Sequence, residues 1–417
     1  MMRGHMAAAA VYPEHAEVRA GRLLIGGCDA AALAAEHGTP AYVVAEDDLR
    51  ARAREFVAAM AAHRPGGEVI FASKAFPCTA VLRVFEQEGL SVDVASGGEL
   101  ALALRAGFPP DRIVVHGNAK SQDELRQAVE VGARVVVDGF DELQRLEALG
   151  RPCRVLVRVT PGVVADTHHS ILTGHAESKF GFPLADAPRA LERLRAAAWA
   201  DLRGLHVHLG SQLFELTPWR EALRAITGLG TFPELDLGGG LAVAYTDHQR
   251  PPSPDDYVAA LAAMTPPGTR LAIEPGRALV ARACVTLYTV EAVKDVMLAD
   301  GPERFVAVDG GMSDNLRPML YDAVYEVDLV DRVGAGGSPC AIVGKHCESG
   351  DVLVRETALA DPRAGDVLVM PVSGAYHHAM ASNYNGVPRP PVIFCSGGAA
   401  RVVVRRETLE DLHARDV

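Results

Sequence analysis

The stretch EVIFASKAF, residues 68–76, decides how the rest of the chain is read. Glu68-Val69-Ile70-Phe71 is a short apolar, β-branched run, and small residues carry it into Lys74. Nothing beside that lysine reads as a charged surface. An ammonium against an apolar wall loses hydration, its pKa falls, and a neutral amine becomes available to attack a carbonyl carbon. The plain alternative is a lysine snorkelling at a strand end. The pattern that follows tells against it.

From Glu68 onward, β-rich runs recur at 68–73, 91–95, 112–116, 134–138, 154–160, 203–209, 233–238 and 270–274. Helical patterns fill the gaps at 79–89, 98–106, 121–131, 141–149, 185–198, 218–227 and 254–264, and Ser121-x-x-Glu124 opens one of them as a capping box. Eight strand–helix units in succession predict an α/β fold, a (β/α)8 barrel over residues 41–280. An open doubly wound sheet is the alternative, and the even spacing favours closure. After residue 280 helical periodicity fades and short strands dominate, at 284–290, 304–308, 324–330, 341–343, 351–355, 366–371, 391–395 and 401–405. This predicts a C-terminal all-β domain over 281–417, ending in a helix at 407–415. The segment 1–40 holds a strand at Arg22–Ile25 that precedes the barrel and needs a sheet, so it is expected to join the β domain.

Composition narrows the function. The chain has 417 residues, 49% hydrophobic and 23% charged, with a net charge of −12 at pH 7. Its basic residues are scattered, which argues against nucleic acid as a partner. Seven cysteines (28, 78, 153, 284, 340, 347 and 395) are odd in number, far apart and without a C-x-x-C pair. That is the pattern of a reduced, cytoplasmic protein. Neither a signal-peptide core nor a run of about 18 apolar residues is present, so no membrane association is expected.

Barrel chemistry lies at the C-terminal ends of the strands. Those ends carry Lys74, Asp93, His116, Arg158, His206-Val207-His208, Ser211, Gly238-Gly239-Gly240 and Glu274-Pro275-Gly276-Arg277. Glycines after the seventh and eighth strands let backbone N–H groups approach a phosphate; a plain tight turn is the alternative. His206 and His208 share one face of a strand, as metal ligands or with one stacked on a flat cofactor. Carboxylates do not cluster at the other strand ends, so no metal is expected. Glu274 is either a partner for Arg277 or the partner of a pyridinium nitrogen.

The segments FASKAF, SVDVASGGEL, HGNAKS, HVHLGSQ, LDLGGGL, EPGRALV, VDGGMSDNLRP, GKHCESGD and GAY…SNYN, in that order, resemble the diaminopimelate decarboxylases. These are pyridoxal 5'-phosphate enzymes of the alanine-racemase-like fold, and the likeness runs from about residue 11 to the C-terminus. By position, it implies that Lys74 is the Schiff-base lysine, His208 lies over the cofactor ring and Ser211 near its phosphate. Gly238, Gly239, Gly240, Gly276 and Arg277 match the phosphate loops, and Glu274 the partner of the ring nitrogen. Asp93 and Arg158 join this cofactor-binding set. Cys347 matches the proton donor and Glu348 the residue that binds the substrate's distal ammonium. Arg277, Arg317 and Tyr321 match the groups holding the distal carboxylate, and Tyr376 a contact to both substrate and cofactor. The resemblance also implies a homodimer in which Cys347 and Glu348 reach the neighbouring subunit's site. Two departures stand out: SKAF where many relatives have VKAN, and the polar pair His377-His378 after Tyr376.

The expected reaction is decarboxylation of meso-diaminopimelate to L-lysine, the last step of lysine biosynthesis. Two arginines and a glutamate would be left as unpaired buried charges by ornithine or lysine. Sites that lose such partners discriminate by about 10⁴ to 10⁵. The rivals are a decarboxylase of the same fold acting on ornithine, arginine or a carrier-bound amino acid, a metal-dependent barrel hydrolase, and a non-catalytic relative.

Overall fold

The computed structural model describes residues 11–163, 178–298 and 301–417. The chain forms two compact units, one of residues 50–242 and 250–279, the other of the chain up to Leu49 with 243–249 and 280–417.

The first unit is a closed barrel of eight parallel strands: Glu68–Ala72, Ser91–Val94, Ile113–Val115, Arg134–Val137, Cys153–Thr160, Ala200–His206, Glu234–Asp236 and Arg270–Ile273. The eighth pairs with the first through Ala272 to Glu68 and Ile273 to Val69, which closes the sheet. The expected barrel is thus present, with helices such as Thr79–Gln87, Gln122–Val131 and Pro254–Met264 between strands. The capping box at Ser121 and Glu124 is formed on both sides. One long helix, Glu46–His63, goes unread in the sequence; Glu46, Asp47 and Asp48 in its first turn complement the helix dipole.

Two-residue alternation along the strands stacks the barrel interior in layers. The middle layer is apolar, with Ile70, Val114, Val136, Leu156 and Ala272 in one buried cluster. One step toward the strand starts lie Glu68, Ser91, Arg134, Glu234 and Arg270. Arg134 is 3% exposed and donates to Glu68 at 2.6 Å and Glu234 at 2.9 Å. Arg270 closes the network at 3.1 Å from Glu68 and 3.2 Å from Glu234. One step the other way lie His116, Arg158, Asp236 and Glu274, all buried. One end of the barrel is therefore plugged by ion pairs and the other carries the chemistry.

In the second unit the main sheet runs Val352–Leu359, Ser338–Val343, Gly301–Val308, Cys284–Leu298, Ala41–Ala45, Val392–Ser396, Ala399–Val404. Ala41–Ala45 lies between Cys284–Leu298 and Val392–Ser396. The sequence reading set the barrel boundary at residue 41; Ala41–Ala45 instead pairs within this sheet, and local pattern does not say which sheet an apolar run will join. Arg22–Ile25 forms a small antiparallel meander with Ala16–Arg19 and Cys28–Asp29, tied to this unit by Leu23 N–H donating to Val330 O at 2.9 Å. Among the described residues no helix is long and apolar enough to cross a membrane.

Burial opposes the charge on Glu68, but Arg134 overrides it and holds the carboxyl below its ordinary pKa. The stability this contributes is present above the ordinary glutamate pKa and is lost as pH falls through the lowered one. Arg134→Met leaves two buried carboxylates short of their partner and is expected to cost about 3–5 kcal/mol. Urea unfolding checks this, and on acidification the variant should lose less stability than the parent.

Candidate active site

Lys74 lies in a single 3-10 turn, Ser73–Ala75, directly after the first barrel strand. Its flanks Ser73 and Ala75 are buried while the lysine itself is exposed at the barrel mouth. Asp93 stands on the neighbouring strand, paired in register with Ala72. Burial, then the Glu274 charge, push the Asp93 carboxyl well above the usual range, and the Lys74 ammonium works against them. Asp236, on the seventh strand, is raised for the same two reasons.

Glu274 behaves oppositely. Burial would raise its pKa too, but His116 and His206 hold it well below the ordinary value. His206 Nε2 meets Oε2 at 3.1 Å, and His116 Nε2 lies 2.7 Å from Oε1. Burial keeps His116 neutral down to about 4. Of Asp93, Asp236 and Glu274, only Glu274 is shifted toward the charged form. The Lys120 ammonium fixes the loop that delivers His116, donating to Gly117 O at 2.6 Å, Val136 O at 2.9 Å and Glu142 at 2.9 Å. Arg158 is buried, its guanidinium 4.4 Å from the Phe180 ring and 3.9 Å from Asp138.

The glycines form a tight cradle. Gly238 and Gly240 have φ of 64° and 117°, in the left-handed region. A Cβ on Gly240 would stand 2.6 Å from Gly210 O, and one on Gly276 2.9 Å from Ala72 Cβ. Gly239 N–H donates to His208 Nδ1 at 3.2 Å, and Arg277 donates to Ser211 at 2.8 Å. Burial, Lys74 and Arg158 together hold His208 neutral.

These residues suit pyridoxal phosphate. Glu274 Oε1 is fully buried and has no aligned hydrogen-bond donor among the described residues. An ionised carboxylate oxygen in that state fits the N–H of a pyridinium ring. His116, His206 and Glu274 present ligand atoms within 4.8 Å of one another, a spacing a metal ion would also accept. The sequence reading paired His206 with His208; in the fold His206 turns to Glu274 and His208 to Gly239.

The remaining candidates lie in the second unit. Arg317 is buried on the short helix Arg317–Tyr321, and Tyr321 ends that helix half-buried. Tyr376 has φ 71°, a left-handed backbone unusual for a large side chain, and its ring centroid is 5.8 Å from the Arg317 guanidinium. Cys347 and Glu348 sit on the exposed loop between Ser338–Val343 and Val352–Leu359. Cys347 is exposed while the other six cysteines are buried. Asp351 anchors the loop by accepting from His346 N–H at 2.9 Å and Met312 N–H at 2.7 Å. Tyr384 O–H donates to Glu348, and Asn385 accepts from Cys347 N–H at 3.1 Å. The sequence reading gave no role to His116, Lys120, Asp236 or Tyr384. His116, Lys120 and Tyr384 lie inside the quoted motifs HGNAKS and SNYN, which was the available signal.

Residues 46–281 match the family described as pyridoxal-dependent decarboxylase, pyridoxal binding domain. The chain is 49% identical over 426 residues to a diaminopimelate decarboxylase of Actinosynnema pretiosum subsp. auranticum, covering 98% of this chain and 95% of that one. It is 42% identical over 428 residues to the diaminopimelate decarboxylase of Bacillus subtilis (strain 168), covering 95% of each. Its fold is similar to that of diaminopimelate decarboxylase from M. jannaschii in co-complex with L-lysine, with a TM-score of 0.90 at 30% identity, over 97% of this chain and 98% of that one. With that match along nearly its whole length, the chain belongs to the diaminopimelate decarboxylases, within the pyridoxal-dependent decarboxylase family.

Proposed function

We infer that the protein decarboxylates meso-2,6-diaminopimelate to L-lysine and CO2 with pyridoxal phosphate, as a cytoplasmic homodimer with shared active sites. The observation that carries the reading is the buried Glu274 carboxylate held by His116 and His206 at the barrel mouth, in a chain 49% identical to a diaminopimelate decarboxylase. The odd number and wide spacing of the seven cysteines agree with the cytoplasm.

Pyridoxal phosphate, when bound, supplies an electron sink for the carbanion left by loss of CO2. The chain's own residues set the conditions. Lys74 Nζ is the amine that carries the cofactor between turnovers. Glu274, held toward its charged form by His116 and His206, would keep a proton on the ring nitrogen. His208 would pack on the ring, and Ser211, Arg277 and the Gly238–Gly240 and Gly276 turns would hold the phosphate. Asp93 and Arg158 would complete the wall. Arg317, Arg277 and Tyr321 bind the distal carboxylate, Glu348 the distal ammonium, and Tyr376 lines the substrate. Cys347 gives its thiol proton to the α-carbon after CO2 departs, a general-acid step.

Borohydride treatment of the holoenzyme should fix one cofactor mass per chain on the Lys74 peptide, and Lys74→Ala should abolish both this label and CO2 release. Retention of the label in that variant would move the amine elsewhere. Arg317→Ala should raise KM for diaminopimelate by about 10²-fold or more while the protein stays folded. Ornithine and arginine should give turnover about 10⁴-fold below diaminopimelate. Lys74→Ala and Cys347→Ala chains, each inactive, should recover about a quarter of parental activity when mixed and allowed to exchange, because half the dimers then hold one intact site. Failure of the mixture to recover activity despite verified exchange would exclude sharing.

A further inference from the structure

Arg317 is 5% exposed, and its guanidinium is enclosed by aromatic rings. The guanidinium carbon lies 5.0 Å from the Tyr245 ring centroid, 5.9 Å from Tyr325 and 5.8 Å from Tyr376. One nitrogen does all the bonding to the two phenols. Nη1 donates to Tyr245 Oη at 2.6 Å and to Tyr325 Oη at 2.8 Å. That nitrogen carries two N–H groups, so both are used. Nε is buried and has no hydrogen-bond partner among the described residues. An unpaired buried donor on a charged group is costly, so its place in the fold implies an acceptor from outside.

Of the two forked edges a guanidinium offers to a carboxylate, the Nη1–Nη2 edge is closed by the tyrosines. The Nε–Nη2 edge remains. Behind Tyr325 stands His377, 1% exposed, with Nε2 at 2.9 Å from the same phenol oxygen. A phenol hydrogen-bonded to both Arg317 and His377 is fixed in rotation about its C–O bond. Tyr245 and Tyr325 brace one another edge to face, with centroids 5.2 Å apart and planes at 87°. Tyr245 comes from residues 243–249, a segment that follows the Gly238–Gly240 turn in sequence yet folds with the second unit.

We propose that Tyr245 and Tyr325, with His377 behind the latter, are positioning residues that saturate one end of Arg317 and leave its Nε–Nη2 edge as the fork for the substrate's distal carboxylate. The proposal rests on the reading of Arg317 as the distal-carboxylate group. It also gives a role to one of the two histidines that set this chain's GAY motif apart.

The test uses the holoenzyme with Tyr245→Phe, Tyr325→Phe and Arg317→Ala, measuring steady-state turnover of diaminopimelate and inhibition by L-lysine and by 1,5-diaminopentane. L-lysine keeps a carboxylate; 1,5-diaminopentane has none. Each Phe variant should raise KM about tenfold with kcat within about twofold, and weaken L-lysine inhibition in parallel. Inhibition by 1,5-diaminopentane should not move, a split that a merely structural defect would not produce. Unchanged KM in both Phe variants beside a raised KM in Arg317→Ala overturns the positioning role and leaves the site assignment standing. Unchanged KM in Arg317→Ala overturns the assignment and the proposal together. Equal weakening of both inhibitors also overturns it. Phenylalanine keeps the ring packing, thermal melts verify folding, and should one variant fail to fold, the inhibitor comparison on the other decides.

Discussion

Glu274 is held toward its charged form inside a closed barrel, against the same burial that raises the pKa of Asp93 and Asp236 beside it. His116 and His206 make the difference. They stabilise the anion by charge interaction first and by hydrogen bonding second. A lysine or arginine there would bind the carboxylate in a tight pair and leave nothing for a ring nitrogen. The arrangement keeps the carboxylate charged and still available, which is the condition an electron-sink cofactor imposes on its partner. The loop that delivers His116 is pinned by the three bonds of Lys120, so the charge state of Glu274 is traceable to backbone on the fourth strand, across the barrel.

Much of this was legible in the sequence because barrel strands are short, β-branched and evenly spaced, and because their C-terminal ends concentrate polar residues. Lys74, Glu274 and the Gly238–Gly240 turn are visible on those grounds alone. What stayed hidden is physical in origin. Ala41–Ala45 has the same apolar run as a barrel strand, and local pattern carries no information about which sheet will pair with it. His116 sits at a strand end like the others, but its partnership with Glu274 depends on strands three and eight meeting across the interior. Arg134 opens a strand and resembles a solvated terminus until Glu68 and Glu234 arrive from positions 66 and 100 residues away.

The second unit shows how a few long-range contacts turn motif residues into instruments. Pro318 starts the helix of Arg317, and the guanidinium is then buried among aromatic rings whose residues are spread over 245–376. The loop of Cys347 and Glu348 is exposed, yet it is not loose: Asp351 fixes its base, and Tyr384 and Asn385 hold its two named residues. An exposed loop with an anchored backbone can meet another molecule without first being ordered, which lowers the entropy lost on association.

Tyr376 holds a backbone angle that glycine or asparagine would adopt with less strain. At this one position, therefore, selection for a hardier fold and selection for turnover pull in opposite directions. A library enriched for heat resistance alone would drift toward small residues there and discard the aromatic face beside Arg317. Any programme to toughen this protein has to screen growth or product formation in the same round, or it will harvest sturdy chains that no longer work.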